Sequence, residues 1–447
     1  MSVEVISLLA VIVSLAFLII LSYRGWPLGL VALVCAVFIF IVERMLVPDL
    51  PSVTTLMKTV FMTGFGNFTK GYFLLLLFST TFALLMGDSG AADAIAQATI
   101  KVAMHFPGKE RYMVCFALIV ISTILSAGGI SAFVIIFVII PIAKSLFQEL
   151  DVPWHLAMTF CLGVATFTLG GLPGMASLNN IIPIPYLGTT PMAAPVLGII
   201  GSLFLIVLGS FYIIIVVRKS IRDGEGFEPT GTEFAKTVFK KNEYVQKVTL
   251  WQALIPVATV LVVLNVFTQP AEVAMVAGCL VCYLLFRKNL PDVIRSTIAA
   301  SVPQTASVVA TTSVIVGYGA AAASTIGYQM VVNGLIDWNI PTVWKIIISV
   351  NILCGLLGSS SGGLTVTLEQ LGGEFLAGGL NPQVIHRVAA FSSIGMDSLP
   401  HCSAVVLSLA TYKLTHRQAY KHVFFLQTLF PLLAAIFMGL LAMAGVV

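Results

Sequence analysis

Four clusters of glycine, serine and proline interrupt the otherwise apolar stretches of this 447-residue chain. They are SAGGIS at 126–131, GGLPGMASLNN at 170–180, SSSGGLT at 359–365 and GMDSLPH at 395–401. In apolar surroundings, a backbone that leaves the helical conformation exposes N–H and C=O groups that must find other partners. Free N–H groups at helix N-termini, together with hydroxyl groups, are suited to binding a carboxylate. The clusters therefore indicate an anion site, and close helix packing by small residues is the alternative.

The side chains and backbone donors of these clusters are the candidate substrate-binding groups. They are Ser126, Gly128, Gly129, Ser131, Gly174, Asn179, Asn180, Ser359, Ser360, Ser361, Gly362, Gly363, Thr365 and Ser398. Because the clusters form two pairs in the same order along the chain, we expect them to converge on one site. We predict no catalytic residue, no cofactor and no metal site, since the sequence has no H-E-x-x-H and no His/Cys cluster with ligand spacing.

Asp397 and His401 are the ionisable residues that the sequence singles out most clearly. A charged side chain at the centre of a bilayer is unfavourable by at least about 2.5 kcal/mol, so such residues suggest function. The two lie four positions apart around Pro400, and we predict that they couple proton movement to substrate movement. The alternative is a structural pair that fixes a helix break. Weaker candidates, each near the expected end of a span, are Asp88, Glu369, Glu374, His386 and Arg387.

A hydrolase is the enzymatic alternative. The residues from Gly358 to Gly362 formally match G-x-S-x-G, and Asp397 and His401 follow in the order Ser, Asp, His. That motif acts on a turn between a strand and a helix in an α/β sheet, which this apolar sequence does not suggest. A passive anion channel is a further alternative, although the chain has no repeated filter signature. We therefore predict that the protein is not an enzyme.

The elements that carry these clusters are predicted to be membrane-spanning helices. Hydrophobic residues make up 58% of the chain and charged residues only 9%, where soluble proteins carry about 25%. Apolar runs of the roughly 20 residues that a bilayer requires recur from Ile6 to Ala444. The basic residues behind the net charge of +4 are dispersed, so no nucleic-acid surface is expected. The sequence thus predicts an all-α polytopic membrane protein.

One long polar segment, Arg218 to Lys247, divides the chain and holds seven of its 23 Lys and Arg residues. The positive-inside rule places this linker in the cytoplasm and both chain termini outside. The motifs that follow one another in residues 1–217 recur in residues 251–447, with 218–250 as the linker. PLGLVALVCAVFIFIV, which begins at Pro27, resembles PAEVAMVAGCLVCYLLF, which begins at Pro270. Because the two halves enter the membrane from opposite sides, the sequence predicts two inverted repeats, each with a re-entrant hairpin and a broken helix.

The second-half stretches SSSGGL (359–364), LNPQVIHRVA (380–389) and GMDSLPH (395–401) resemble the gluconate permease (GntP) family of the ion transporter superfamily. The resemblance implies a symporter of the bacterial inner membrane for sugar acids or short hydroxy acids, usually coupled to protons. It also implies an elevator mechanism, with a dimerising scaffold domain and a moving transport domain that contains the hairpins. On this basis the hairpin tips are Ser126–Ser131 and Ser359–Thr365, and the facing breaks are Gly171–Asn180 and Asp397–His401.

One departure from the family pattern bears on the substrate. Gluconate carriers of this family have a His- and Pro-rich segment where this chain reads GLPGMASLNN. The chain is in this respect more similar to the branch of 3-hydroxybutyrate permeases, which implies a short hydroxy-monocarboxylate. The sequence thus predicts a proton-coupled, homodimeric symporter for such an anion or a sugar acid, with sodium as the alternative coupling ion.

Overall fold

The apolar runs of the sequence form helices in the computed structural model, which describes residues 2–127, 132–162, 171–175, 177–238, 246–267, 269–292 and 297–447. Within these ranges the chain contains helices and no β-strand. The expected all-α fold is confirmed.

In the first half the helices are α1 (Val3–Tyr23), α2 (Leu28–Leu46), α3 (Val53–Asp88), α4 (Ala91–Ala103), α5 (Glu110–Ala127), α6 (Ala132–Glu149), α7 (His155–Leu162), α8 (Leu178–Ile181), α9 (Pro183–Leu187) and α10 (Pro195–Arg222). The linker contains α11 (Thr232–Val238). The second half contains α12 (Leu250–Asn265), α13 (Ala271–Phe286), α14 (Ala299–Ala323), α15 (Ile326–Asp337), α16 (Thr342–Leu357), α17 (Ser360–Ala377), α18 (Pro382–Ser392), α19 (Ser403–Tyr412) and α20 (His416–Met443).

Six helices in the described part of the chain are long and apolar enough to cross a membrane: α1, α2, α3, α10, α14 and α20. Large apolar side chains are exposed along their outer faces. On α10, for example, Leu203, Val207 and Phe211 are more than half exposed and lie one turn apart. Water-soluble proteins rarely expose apolar surface of this extent, whereas a lipid-facing helix requires it. The chain is therefore a polytopic membrane protein.

The helices of the two halves pack in matching pairs. Helix α1 packs against α2 and α15, and α12 packs against α13 and α4. Helix α2 contacts α14, α13 contacts α3, and α3 and α14 lie against each other. Gly64 makes this last approach possible, because a Cβ atom there would lie 2.7 Å from the Cβ of Ala320. The order of elements and their pairing thus recur in the second half, and the inverted relation between the halves stays a prediction.

Helices α16 and α17 form a hairpin whose connection is a tight turn. Gly358 adopts φ +59°, a conformation that glycine tolerates best, and Ser359 caps α17 by accepting a hydrogen bond from the Gly362 N–H at 3.2 Å. At 1.5 Å per residue the two helices are about 24 and 27 Å long, slightly shorter than a hydrocarbon core of about 30 Å. Helices α5 and α6 are the matching pair in the first half, and their connection at 128–131 lies outside the described residues.

The linker between the halves lies partly against the helices. Helix α10 extends to Arg222, and Phe227 and Phe234 from the linker are buried. Phe234 stacks on the buried Trp154 with ring centroids 4.3 Å apart, and the Phe227 N–H donates to Asp151 at 2.8 Å. The linker therefore docks beside the start of α7.

Candidate functional site

The second-half break separates α18 from α19 and packs against the tip of the α16–α17 hairpin. A single 3₁₀ turn, Met396–Ser398, occupies the gap. The Ser403 N–H donates to the Gly358 carbonyl at 3.3 Å, and a Cβ atom on Gly358 would lie 2.9 Å from the imidazole of His401. The fold thus brings together two of the predicted clusters, residues 359–365 and 395–401.

Asp397 and His401 are both buried in this contact, with 2% and 1% of their surfaces exposed. The Asp397 carboxylate accepts from the Ser398 hydroxyl at 2.9 Å and also interacts with the Ser360 side chain. The imidazole of His401 faces the Gly355 carbonyl without hydrogen-bond geometry, and neither ring nitrogen has a partner among the described residues. The two side chains do not hydrogen bond to each other in this structure.

The hydroxyl groups near the hairpin tip divide into two groups. Ser359 serves as the helix cap and Ser360 faces Asp397. Ser361 and Thr365 lie one turn apart on α17, are half-buried and have no hydrogen-bond partner in the described part of the chain. These two side chains are available to a ligand.

The two glycines at the start of α17 have different roles. A Cβ atom on Gly363 would lie 2.4 Å from the Cα of Cys354, so this glycine allows α16 and α17 to approach closely. Gly362 has only Ser359 nearby, and its N–H is engaged in the cap. At Gly363 the structure supports the packing alternative.

The first-half break is connected to the second half by asparagines. Asn179 donates from Nδ2 to the Ser393 hydroxyl at 2.6 Å, just before the second break. Asn180, fully buried, donates to the carbonyls of Met175 and Pro191 at 2.8 and 2.9 Å. Asn180 Oδ1 also accepts from Arg387 of α18 at 2.8 Å, so both predicted asparagines connect the first break to α18 or its end.

Other predicted residues of the first half contribute less to this contact. Gly174 is exposed, has φ +78° and donates its N–H to the Pro191 carbonyl at 2.9 Å. The backbone of Ser126 belongs to the last turn of α5. Gly128, Gly129 and Ser131 lie outside the described residues, so their predicted role stays a prediction.

A buried arginine, Arg387 on α18, is the centre of the polar network between the two breaks. Its side chain is 0% exposed. Nε donates to the Ala193 carbonyl at 2.9 Å, and Nη2 donates to the carbonyls of Ala193 at 2.6 Å and Pro191 at 3.0 Å. Nη1 donates to Asn180 Oδ1 at 2.8 Å and to the Gly171 carbonyl. All five N–H donors of the guanidinium group are therefore engaged.

Among the described residues, no carboxylate forms an ion pair with Arg387, and the ion pairs Arg111–Asp151 and Arg222–Asp223 lie elsewhere. The acceptors around Arg387 are four neutral oxygen atoms, from Gly171, Asn180, Pro191 and Ala193. A buried cation without a counter-ion leaves a positive potential in low-dielectric surroundings. The region of the breaks thus favours an anion.

His386 extends this network. It is 0% exposed, and its ring nitrogens lie 2.7 Å from the Thr189 hydroxyl and 3.1 Å from Asn180 Oδ1. The sequence predicts that His386 and Arg387 reach water near a span end, and that expectation of access to water is wrong because both side chains are buried. The sequence did contain one signal, because no acidic residue lies between Glu374 and Asp397 to pair with the arginine.

The remaining ionisable candidates lie away from the breaks or at the surface. Asp88, at the end of α3, accepts from the Thr297 hydroxyl at 2.7 Å. Glu369 is exposed and accepts from the Tyr186 hydroxyl at 3.1 Å, and Glu374 is exposed as well. No group of three His, Cys, Asp or Glu side chains that could hold a metal ion occurs among the described residues.

Comparisons with known proteins give one relative of similar length. No protein-family model matches the chain. It is 26% identical over 458 residues to a protein of Bacillus subtilis (strain 168) named uncharacterized transporter YxjC, with 93% of this chain and 95% of the relative covered. Among solved structures, the Alcanivorax borkumensis YdaH transporter matches with a TM-score of 0.35 and 14% identity, over 88% of this chain and 89% of that chain. The likeness to YdaH is too weak to carry an argument about the fold.

Proposed function

We propose that the protein is a secondary active transporter that carries a small organic anion across the bacterial inner membrane by proton-coupled symport. The observation that carries this proposal is the buried Arg387, whose charge no carboxylate balances among the described residues. An anion that binds between the breaks supplies the missing negative charge. The similarity to YxjC over nearly the whole chain supports the broader class of transporter.

The substrate class follows from the groups that remain available. Ser361 and Thr365 offer hydroxyl groups, whereas all five N–H donors of Arg387 are engaged and none is free to bind a carboxylate directly. Recognition of a dicarboxylate normally relies on additional guanidinium forks. A monocarboxylate with a hydroxyl group, such as 3-hydroxybutyrate, or a sugar acid suits this set of donors.

Asp397 is the proposed proton carrier. It lies at the contact between the hairpin tip and the break, where the cargo is expected, and its polar neighbours are hydroxyl groups rather than cations. His401, with both ring nitrogens unpaired among the described residues, is the second proposed group on this path. Movement of a proton with the anion offsets the charge of the cargo. Sodium is the alternative coupling ion.

The resemblance to the gluconate permease family supports an elevator mechanism in a homodimer. In this proposal α1, α2, α12 and α13, which lack polar breaks, form the scaffold, and the broken helices move with the hairpins. A cross-link that locks the α16–α17 hairpin to the scaffold then abolishes transport and leaves binding intact.

The proposal is tested by uptake of labelled carboxylates into proteoliposomes that contain the purified protein. The panel includes 3-hydroxybutyrate, gluconate and a dicarboxylate, each under a proton gradient and then under a sodium gradient. We expect accumulation of 3-hydroxybutyrate or gluconate only with the proton gradient. Equal uptake with no gradient at all would instead indicate a passive channel, and chemical change of the cargo would indicate an enzyme.

A further inference from the structure

A cavity of about 400 Å³ opens between α1, α20 and the second-half break. Its walls are formed by Ile19 and Tyr23 of α1, by Leu399 and Pro400 of the break, and by Tyr420, Lys421 and Phe424 of α20. This volume lies within the range of about 300–1,000 Å³ that is usual for small-molecule sites. The cavity is adjacent in sequence and in space to Asp397 and His401, but neither of them lines it.

The wall formed by the break is held in place by α20. The Tyr420 hydroxyl donates to the Ser398 carbonyl at 3.0 Å, and His416 Nε2 lies 2.7 Å from the Pro400 carbonyl. Tyr23 meets the ring of Tyr420 edge to face, with centroids 5.9 Å apart. A molecule in the cavity therefore touches the segment that carries the proposed coupling residues.

Lys421 is the basic residue that lines the cavity. Two further basic residues are close to the lining in the sequence: Arg417 lies one turn before Lys421 on α20, and Arg24 follows Tyr23. All three are exposed, and none forms an ion pair among the described residues. The last turn of α1 and the first turn of α20 carry no acidic residue. A surface of one sign raises the local concentration of oppositely charged ligands.

We propose that this cavity is the cytoplasmic opening through which the anion passes between the second-half break and the cell interior, with Lys421 as the residue that attracts its carboxylate. The inference rests on the proposed function. The occupant is a short monocarboxylate, whose charge pairs with Lys421 while its carbon chain lies against the apolar walls of Ile19 and Phe424. Lys421 thereby determines the apparent affinity rather than the turnover.

The first experiment measures 3-hydroxybutyrate transport by Lys421→Gln and Lys421→Arg in proteoliposomes, with the labelled anion supplied on the side of the membrane that Lys421 faces. Loss of the charge is expected to raise KM about two- to fivefold, the range for an exposed ion pair, with Vmax unchanged. Lys421→Arg keeps the charge and is expected to retain the wild-type KM. Lys288→Gln, an exposed lysine after α13 and away from the cavity, is the matched control. The proposal is overturned if Lys421→Gln has the wild-type KM. It is also overturned if KM rises equally in Lys421→Gln, in Lys421→Arg and in the control Lys288→Gln.

The second experiment does not depend on transport. Leu399→Cys places a thiol on the cavity wall, and Ile19→Cys places one on the opposite wall if the first variant does not fold. A negatively charged thiosulfonate is expected to react faster than a positively charged one, and this preference should fall when Lys421 is changed to Gln. A thiol that neither aqueous reagent reaches would show that lipid fills the cavity, which overturns the proposal.

The two experiments separate the cavity from the function. If the wild-type protein takes up no carboxylate, the proposed function fails, while the labelling preference still reports whether the cavity admits anions. If the wild type transports the anion while Lys421→Gln keeps the wild-type KM and neither reagent labels Leu399→Cys, the proposed function stands. In that case only the proposed role of the cavity is refuted.

Discussion

Arg387→Lys is the substitution that most directly tests the connection between the two breaks. Arginine presents five N–H donors, and all five are engaged with the segment from Gly171 to Ala193. A lysine ammonium group has three donors, so at least two of these contacts must be lost. A hydrogen bond to a charged group contributes about 1.5–3 kcal/mol, which gives a loss of about 3–6 kcal/mol when two are removed.

This loss is expected to appear as a lower thermal stability of the detergent-solubilised protein and as reduced uptake. If the whole loss of about 3–6 kcal/mol weakens the contact between the first break and α18, the fraction of molecules with an assembled site should fall at least about a hundredfold. Arg287→Lys, at an exposed arginine after α13, controls for the exchange of residue type.

Arg387 does not hold the first break against α18 if Arg387→Lys matches the wild type both in melting temperature and in uptake. The same conclusion follows if Arg287→Lys produces an effect of the same size. A variant that keeps its stability but loses uptake would instead assign Arg387 a direct contact with the anion.

Three further predictions follow from the proposed site and topology. Asp397→Asn, which cannot titrate, should abolish accumulation driven by a proton gradient while substrate exchange persists; unchanged pH-dependent accumulation would reduce Asp397 to a structural role. Ser361→Ala and Thr365→Ala should each weaken substrate binding roughly ten- to a hundredfold, as measured by competition, because a hydrogen bond to a charged group is lost. Cysteines at Gly224 and Val447 should be labelled from opposite sides of the membrane, and labelling of both from the same side contradicts the inverted repeats.

The fold class could be predicted from the sequence because the bilayer imposes a simple rule. Every buried backbone group must be paired, so long apolar runs become helices and clusters of Gly, Ser and Pro mark where helices end. The turn at Gly358 and the break around Met396–Ser398 lie where these clusters predicted interruptions. This prediction required no knowledge of contacts between distant parts of the chain.

The partners of individual polar residues could not be predicted in the same way. Asp397 and His401 are close in sequence, yet the break gives them different neighbours. Asp397 interacts with Ser398 and Ser360, whereas His401 lies beside the hairpin turn at Gly358. Spacing of four residues brings side chains together only on a continuous helix. The 3₁₀ turn and Pro400 remove that continuity.

Arg387 shows most clearly what only the tertiary structure decided. It is the sixth residue of an 11-residue helix, within two turns of a loop at either end, and a long side chain on so short a helix usually reaches water. The sequence determined its charge and the absence of nearby acidic residues. The fold determined its burial, because the segment from Gly171 to Ala193 lies over α18 and supplies the oxygen atoms that replace water. Those acceptors come from about 200 residues earlier in the chain, a separation over which no local pattern can specify a contact.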